Sequence, residues 1–195
     1  MKNTFEELFT LHAQSFNGLK HLQRTGWVKR GVSNSLAQDS ETVAAHSWAM
    51  AAFVRAVGSS FPRGIDVLKL VDICLFHDLA EAKVGDITPM CGVSKEQKAQ
   101  NELDAIDEIV EQTGLPFIKR LFLEYEEQET LEAKLAKDVD RLDMMMQALH
   151  YQQSGALTKE SNDFFSRIDV DTFVEGFTQD FAKYLFTRKA ELDKQ

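Results

Sequence analysis

The sequence predicts an all-α protein, because apolar residues recur at helical spacing and no segment shows the sustained alternation of a β-strand. Only three prolines and ten glycines interrupt the 195 residues, which favours long helices. Capping boxes begin at Thr4 and Ser94, where Glu or Gln follows three residues later. We therefore expect a helical bundle of about six or seven helices.

Three helices are predicted in the first half of the chain. The first follows the Thr4 capping box and runs over about 5–24, with apolar residues three and four apart. A polar loop over 31–40 precedes the second helix, which runs over about 41–58. A largely apolar run then predicts a buried central helix over about 66–84, which ends before a glycine.

Four further helices are predicted in the second half. A capping box and a terminal glycine bound a helix over 94–114. Pro116, at the first-turn position that proline tolerates, opens another that continues over 117–125. A long helix is expected over 129–153. Phenylalanines three and four residues apart predict an amphipathic closing helix over about 171–192.

Composition bounds the class of protein. The length is that of one domain, expected over 1–195 with a C-terminal helical extension over 155–195. The formal net charge of −9 argues against nucleic-acid binding through a general basic surface. Cys74 and Cys91 are too few for a disulfide framework, which indicates a reduced intracellular protein. No signal peptide and no run of roughly 20 apolar residues is found, so we expect a cytoplasmic protein without a membrane partner.

Several common site types are missing from the sequence. It contains no G-x-x-x-x-G-K-[ST] phosphate loop, no G-x-G-x-x-G, no H-E-x-x-H and no G-x-S-x-G. A ferritin-like di-iron bundle requires Glu three residues before a ligand His, and none of the five histidines has it. The chemistry must therefore come from another arrangement.

Histidine and aspartate interrupt apolar helical runs at three separate places. His46 lies in the second predicted helix, His77 and Asp78 adjoin in the central helix, and Asp140 lies in the long helix. One such residue alone is more often a hydrogen-bonded core residue. Two imidazoles and two carboxylates on three helices, however, can close around one divalent metal ion. Imidazole ligands suit Mn, Co, Fe, Ni or Zn, and the availability of Mg in cells keeps it among the candidates.

The most specific stretch is His77-Asp78-Leu79-Ala80-Glu81, followed by Gly85-Asp86. With the upstream and downstream ligand candidates, it resembles the HD-domain superfamily of metal-dependent phosphohydrolases. More closely, the chain resembles the bacterial HD-type 5'-deoxynucleotidases and their eukaryotic HD-domain-containing relatives. The resemblance covers about residues 5–153 and is weak beyond Gly155. About five extra residues stand between Arg30 and Glu41.

The resemblance implies roles for individual residues. The implied metal ligands are His46, His77, Asp78 and Asp140. Catalytic or phosphate-proximal roles are implied for Glu81 and Asp86, and a place in the nucleotide pocket for Arg24, Trp27 and Lys95. Arg24, Arg30 or Lys95 could neutralise the phosphate dianion. A core aromatic that closes the first helix is an equally good interpretation of Trp27.

The implied reaction is the hydrolysis of 5'-(deoxy)nucleoside monophosphates to nucleoside and phosphate by metal-activated water. Glu81, one helical turn from His77, would exchange a proton with the water or with the leaving 5'-oxygen. Two alternatives stay open: an HD phosphohydrolase acting on a cyclic, triphosphate or signalling nucleotide, and a non-catalytic metal-binding interaction domain. The resemblance also suggests a homodimer. The base, the sugar, the metal and the role of the inserted loop over 31–40 are not fixed by the sequence.

Overall fold

The computed structural model describes four ranges of the chain, namely residues 4–32, 40–158, 162–174 and 176–194. Within these ranges it is all-α, and the extended backbone there makes a single isolated bridge between Gln23 and Thr42. The all-α prediction is confirmed. Most of the predicted polar loop over 31–40 lies outside the described residues, and with it the inserted segment.

The α-helical segments in the described ranges are α1 (Phe5–Leu11), α2 (Asn17–His21), α3 (Thr25–Lys29), α4 (Val43–Val57), α5 (Val67–Phe76), α6 (Glu81–Val84), α7 (Lys95–Thr113), α8 (Pro116–Glu127), α9 (Leu131–Gln153) and α10 (Phe177–Leu192). A π-helical segment over His12–Phe16 joins α1 to α2, so the chain is continuously helical from Phe5 to His21. Counted in this way, the described ranges contain seven helices of ten residues or more. The expectation of six or seven helices is confirmed.

Side-chain caps explain where several of these helices begin. Each cap accepts a hydrogen bond from a backbone N–H in the first turn, which would otherwise lack a partner. The capping residues are Thr4, Thr42, Asp66, Ser94 and Thr130. At the other end of α7, Gly114 adopts a left-handed conformation with φ of 64°, which glycine accepts without steric cost.

The prediction of one continuous central helix over 66–84 is wrong. Helix α5 ends at Phe76, and the chain tightens into a turn before α6 begins at Glu81. Hydrogen bonds from the N–H of Leu79 to the carbonyl of Phe76, and from that of Glu81 to Asp78, span three residues instead of four. The stretch from His77 to Glu81 therefore lies at the end of a buried helix, where its side chains can face a cavity.

The closing helix also begins later than the sequence indicated. Residues 170–172 form a short 3-10 turn, capped by the side chain of Asp169, and α10 starts only at Phe177. The start predicted at 171 is wrong because local polar residues hold this separate turn.

Helix α9 lies at the centre of the packing, in contact with α4, α5, α8 and α10. An apolar cluster joins α4, α5 and α9 through side chains such as Met50, Ile73 and Val139. Removing this apolar surface from water holds the three helices together. As a result, the three helices that carry the candidate metal ligands converge on one place. No helix in the described part of the chain is both long and apolar enough to cross a membrane.

Candidate metal centre and active site

His46 lies in the first turn of α4, and hydrogen bonds hold the chain around this turn. The Thr42 hydroxyl caps the helix by accepting from the N–H of Ala45 at 3.2 Å. Backbone hydrogen bonds from Arg24 to Glu41, at 2.8 Å, tie this turn to the segment before α3. The imidazole is fully buried, and Arg24 is brought beside it.

The structure brings the four predicted ligands together. Candidate ligand atoms of His46, His77 and Asp140 all lie within 4.8 Å of one another. The Nε2 atom of His46 is 3.3 Å from Oδ1 of Asp140 and 4.0 Å from Oδ2 of Asp78. The same Asp78 oxygen lies 3.0 Å from Nε2 of His77. Two imidazole nitrogens thus face two carboxylates.

The hydrogen-bonding state of the imidazoles shows that these residues fit a metal ion. Nδ1 of His46 is 2.8 Å from Asp143, and Nδ1 of His77 is 3.0 Å from the carbonyl of Cys74. Both Nε2 atoms are buried, and no residue in the described part of the chain meets either of them with hydrogen-bond geometry. Buried polar atoms are rarely left without a partner, and the two Nε2 atoms point at the same space. A divalent cation between them would satisfy both.

Electrostatics also favour a cation here. Burial opposes ionisation of Asp140, but the Lys137 ammonium and the neighbouring imidazoles hold its pKa well below the usual range. Burial likewise opposes ionisation of Asp78, whose pKa is lowered by His77 and by the Arg24 guanidinium at 2.7 Å. Burial and Arg24 oppose protonation of His46, yet the adjoining carboxylates raise its pKa to about 9. The site therefore favours added positive charge.

Glu81 and Asp86 face the same space as the candidate ligands. Glu81 is 3% exposed, and its buried Oε2 atom has no hydrogen-bond partner among the described residues. Burial and the nearby Asp78 carboxylate raise the pKa of Glu81 well above its usual range. Asp86 accepts a hydrogen bond from the backbone N–H of Thr25 at the start of α3. One free and one anchored carboxyl group therefore stand beside the metal centre.

These groups border a cavity of about 190 Å³. His77, Asp78 and Asp140 form part of its wall, together with the two carboxyl groups just described. Its cationic wall residues are Arg24, Lys98 and Lys137. The cavity thus combines three of the candidate ligands with two further carboxyl groups and three cationic side chains.

Three residues expected in the nucleotide pocket do not line this cavity. Trp27 is fully buried in the apolar core, where its ring lies 5.5 Å from that of Tyr151. Arg30 pairs with Asp163 at 2.7 Å. Lys95 is exposed at the first position of α7. Of the two interpretations of Trp27, its burial favours the core aromatic.

Sequence reasoning missed four residues of the site. Lys98 lies one turn beyond Lys95 and reaches the cavity, because the face of α7 that it occupies turns inward. The other three are Tyr125, Lys137 and Asp143. Helical spacing contained a signal for two of them, since Lys137 and Asp143 stand three residues before and after Asp140.

The fold and the site define a helical protein in which histidine and aspartate side chains that could hold a metal ion stand beside a polar cavity. Residues 16–180 match the family model for the HD domain. The chain therefore belongs to the HD domain family.

Two similar proteins align with most of the chain. The 5'-deoxynucleotidase HDDC2 of Dictyostelium discoideum is 34% identical over 176 residues, which cover 86% of this chain and 87% of that protein. The 5'-deoxynucleotidase hdd1 of Schizosaccharomyces pombe is 34% identical over 154 residues, 75% of this chain and 73% of that one.

Solved structures share the fold. The crystal structure of the PH0347 protein from Pyrococcus horikoshii superposes with a TM-score of 0.70 and 26% identity, over 97% of this chain and 99% of that one. A predicted metal-dependent phosphohydrolase from Magnetospirillum magnetotacticum gives 0.69 at 18% identity, over 96% and 93% of the two chains. The second likeness concerns the fold alone.

Proposed function

We propose that this protein is a metal-dependent phosphomonoesterase that hydrolyses 5'-deoxynucleoside monophosphates to nucleoside and inorganic phosphate. The observation that carries the proposal is the pair of buried, unpartnered Nε2 atoms of His46 and His77, which face two carboxylates beside a polar cavity. Membership of the HD domain family and relatives named as 5'-deoxynucleotidases support the substrate class.

The proposed ligands of one divalent metal ion are His46, His77, Asp78 and Asp140. When bound, such an ion supplies Lewis-acid activation of the phosphate ester and of the attacking water. The mixed imidazole–carboxylate set suits Mn, Co, Fe, Ni or Zn, and Mg by availability.

Glu81 is proposed as the general acid–base residue. Burial and the Asp78 carboxylate raise its pKa, which favours the protonated carboxyl group that would donate a proton to the leaving 5'-oxygen. Asp86, anchored by the N–H of Thr25, would orient the attacking water.

The phosphate dianion is proposed to meet the cations of the cavity wall. Arg24 is buried and already paired with Asp78, so it holds a fixed positive charge beside the ligands. Lys98 pairs with Glu102 at 3.2 Å and Lys137 with Asp140 at 3.0 Å. Because the chain carries a net charge of −9, these local cations are what lets an anionic substrate approach. In this proposal they neutralise the phosphate, a role that the sequence-based prediction gave to Arg30 and Lys95 as well as to Arg24.

We also propose a homodimer in the cytoplasm. An exposed Trp48 and a partly exposed Leu75 border an apolar groove of about 270 Å³ next to α4 and α5, a surface that a second copy could cover. Two free cysteines, Cys74 and Cys91, agree with a reducing compartment. Sedimentation analysis of the Trp48→Glu variant tests the dimer: the variant is expected to be monomeric, and an unchanged dimer would contradict this assignment.

A substrate panel tests the proposed reaction. Phosphate release is measured from deoxynucleoside 5'-monophosphates, 3'-monophosphates, cyclic nucleotides and triphosphates, each with metal-loaded protein. Release from the 5'-monophosphates alone supports the proposal. Preferential turnover of a cyclic nucleotide or a triphosphate would assign the site to another HD phosphohydrolase reaction.

A further inference from the structure

A second group of acidic residues lies behind His46, on the side of the ring that faces away from the cavity. Candidate ligand atoms of Glu41, His46 and Asp143 lie within 4.8 Å of one another. Both His46 and Asp143 are buried, and Asp143 Oδ2 is 2.8 Å from His46 Nδ1. This group does not line the cavity, so it requires an explanation other than contact with the substrate.

We propose that Asp143 is a positioning residue that prepares His46 to bind the metal ion. The inference rests on the proposed metal centre. The Asp143 carboxylate accepts the Nδ1 proton of the imidazole. When a metal ion is bound, Nε2 would then supply the lone pair that binds it, on the side of the ring where Asp140 Oδ1 lies 3.3 Å away. The carboxylate thus selects both the tautomer and the orientation of the ring.

The two candidate histidine ligands are held in different ways. Nδ1 of His77 meets the backbone carbonyl of Cys74, a neutral acceptor within the same helix. Nδ1 of His46 instead meets a carboxylate contributed by another helix, α9. A charged acceptor makes the imidazole the stronger donor to a metal ion. We therefore expect His46 to depend on a side chain that mutagenesis can remove.

Glu41 is itself fixed by two aromatic residues. Its Oε2 accepts a hydrogen bond from the indole N–H of Trp27 at 3.2 Å. Its backbone N–H donates to the hydroxyl of Tyr151 at 2.7 Å. The rings of Trp27 and Tyr151 pack edge to face with centroids 5.5 Å apart. Trp27 thereby supports the acidic pair, although it does not line the cavity.

A purely structural role for Asp143 would give different results. In that case its carboxylate would only join α4 to α9, and its loss would lower thermal stability without weakening metal binding by folded protein. Asp138 provides the matched control. It is another buried aspartate on α9, and it accepts from the N–H of Val174 and from the hydroxyl of Thr178, both at 2.8 Å, and not from His46.

The test uses the full chain stripped of metal and titrated with Co²⁺ against a chromophoric chelator. For Asp143→Asn we expect a Co²⁺ affinity about 10- to 100-fold weaker and an altered visible spectrum of the bound ion. Asp143→Glu keeps a carboxylate and should recover part of that affinity, which tests the proposal even if the Asn variant does not fold. Asp138→Asn should lower the thermal midpoint while leaving the Co²⁺ affinity unchanged.

Wild-type affinity and spectrum in Asp143→Asn would overturn the positioning role. An equal loss of affinity in Asp138→Asn would also overturn it, because the effect would then be general to the helix. Failure of the wild-type protein to bind one Co²⁺ ion is a separate outcome. It would contradict the metal centre on which the inference rests, and so distinguishes the failure of the proposed function from that of the positioning role.

Discussion

Nε2 of His46 lies 3.3 Å from Oδ1 of Asp140, across the contact between α4 and α9. The other oxygen of Asp140 accepts hydrogen bonds from the hydroxyl of Tyr125 and the ammonium of Lys137, both at 3.0 Å. Oδ1 is therefore left facing the imidazole. This arrangement presents one nitrogen and one oxygen to the same point, as a metal centre requires.

Asp140→Asn is expected to abolish stoichiometric metal binding. The amide cannot supply the negative charge of the carboxylate. Removing a residue that only positions a ligand lowers metal affinity about 10- to 100-fold, and the loss of a ligand itself should lower it further. Metal content is measured by mass spectrometry after gel filtration of the loaded protein. Asp138→Asn, on the same helix, should retain the metal. One equivalent of tightly bound metal in Asp140→Asn would remove this residue from the ligand set.

Glu81→Gln should lower kcat by about 10²- to 10⁴-fold while the bound metal is retained. The amide preserves the shape of the buried side chain but cannot donate a proton as the carboxylic acid does. Steady-state phosphate release and metal content are measured on the same preparation. A kcat within threefold of the wild type would exclude Glu81 as the general acid–base residue.

Lys98→Gln and Lys95→Gln form a matched pair one helical turn apart. Lys98 lines the cavity and Lys95 is exposed, so only the first substitution should weaken substrate binding. A charge-assisted hydrogen bond of about 1.5–3 kcal/mol corresponds to a KM increase on the order of tenfold to a hundredfold. KM is determined with a deoxynucleoside 5'-monophosphate. A larger KM increase in Lys95→Gln than in Lys98→Gln would instead support the sequence-based prediction that Lys95 lies in the nucleotide pocket.

Trp27→Ala should act on stability, since the indole is fully buried in the core. Replacing a buried Trp by Ala costs about 3–5 kcal/mol in the free energy of unfolding. Trp27→Phe keeps most of the packing and should leave KM unchanged at saturating metal. Urea denaturation gives the free energies, and kinetics gives KM. A KM raised tenfold in Trp27→Phe, with unchanged stability, would show that the ring contacts the substrate.

The helices and the identity of the candidate ligands could be predicted from the sequence because both depend on local patterns. Helical periodicity and capping residues place most of the long helices, and polar residues within apolar runs single out His46 and Asp140. The break after Phe76 could not be predicted in this way. No glycine or proline marks the break, and the hydrogen bonds that tighten the turn join backbone groups, which carry no sequence signal of their own.

Which residues line the cavity depends on how the helices pack, and one sequence does not reveal that packing. Whether Lys95 or Lys98 reaches the site is set by the rotation of α7 against its neighbours. Trp27 is buried partly by Phe164, 5.9 Å from its ring, and by Leu157. Both lie beyond Gly155, where the family resemblance is weak.

We expect the four candidate ligands to hold a metal ion that phosphate-ester hydrolysis requires. The most direct test measures phosphate release from deoxynucleoside 5'-monophosphates by chelated protein resupplied separately with Mn, Co, Mg or Zn. His77→Ala, which lacks one of the unpartnered imidazoles, is assayed in parallel. We predict no release by chelated protein, recovery with at least one metal, and no recovery in His77→Ala. Full activity of the chelated protein, or of His77→Ala, would contradict this account.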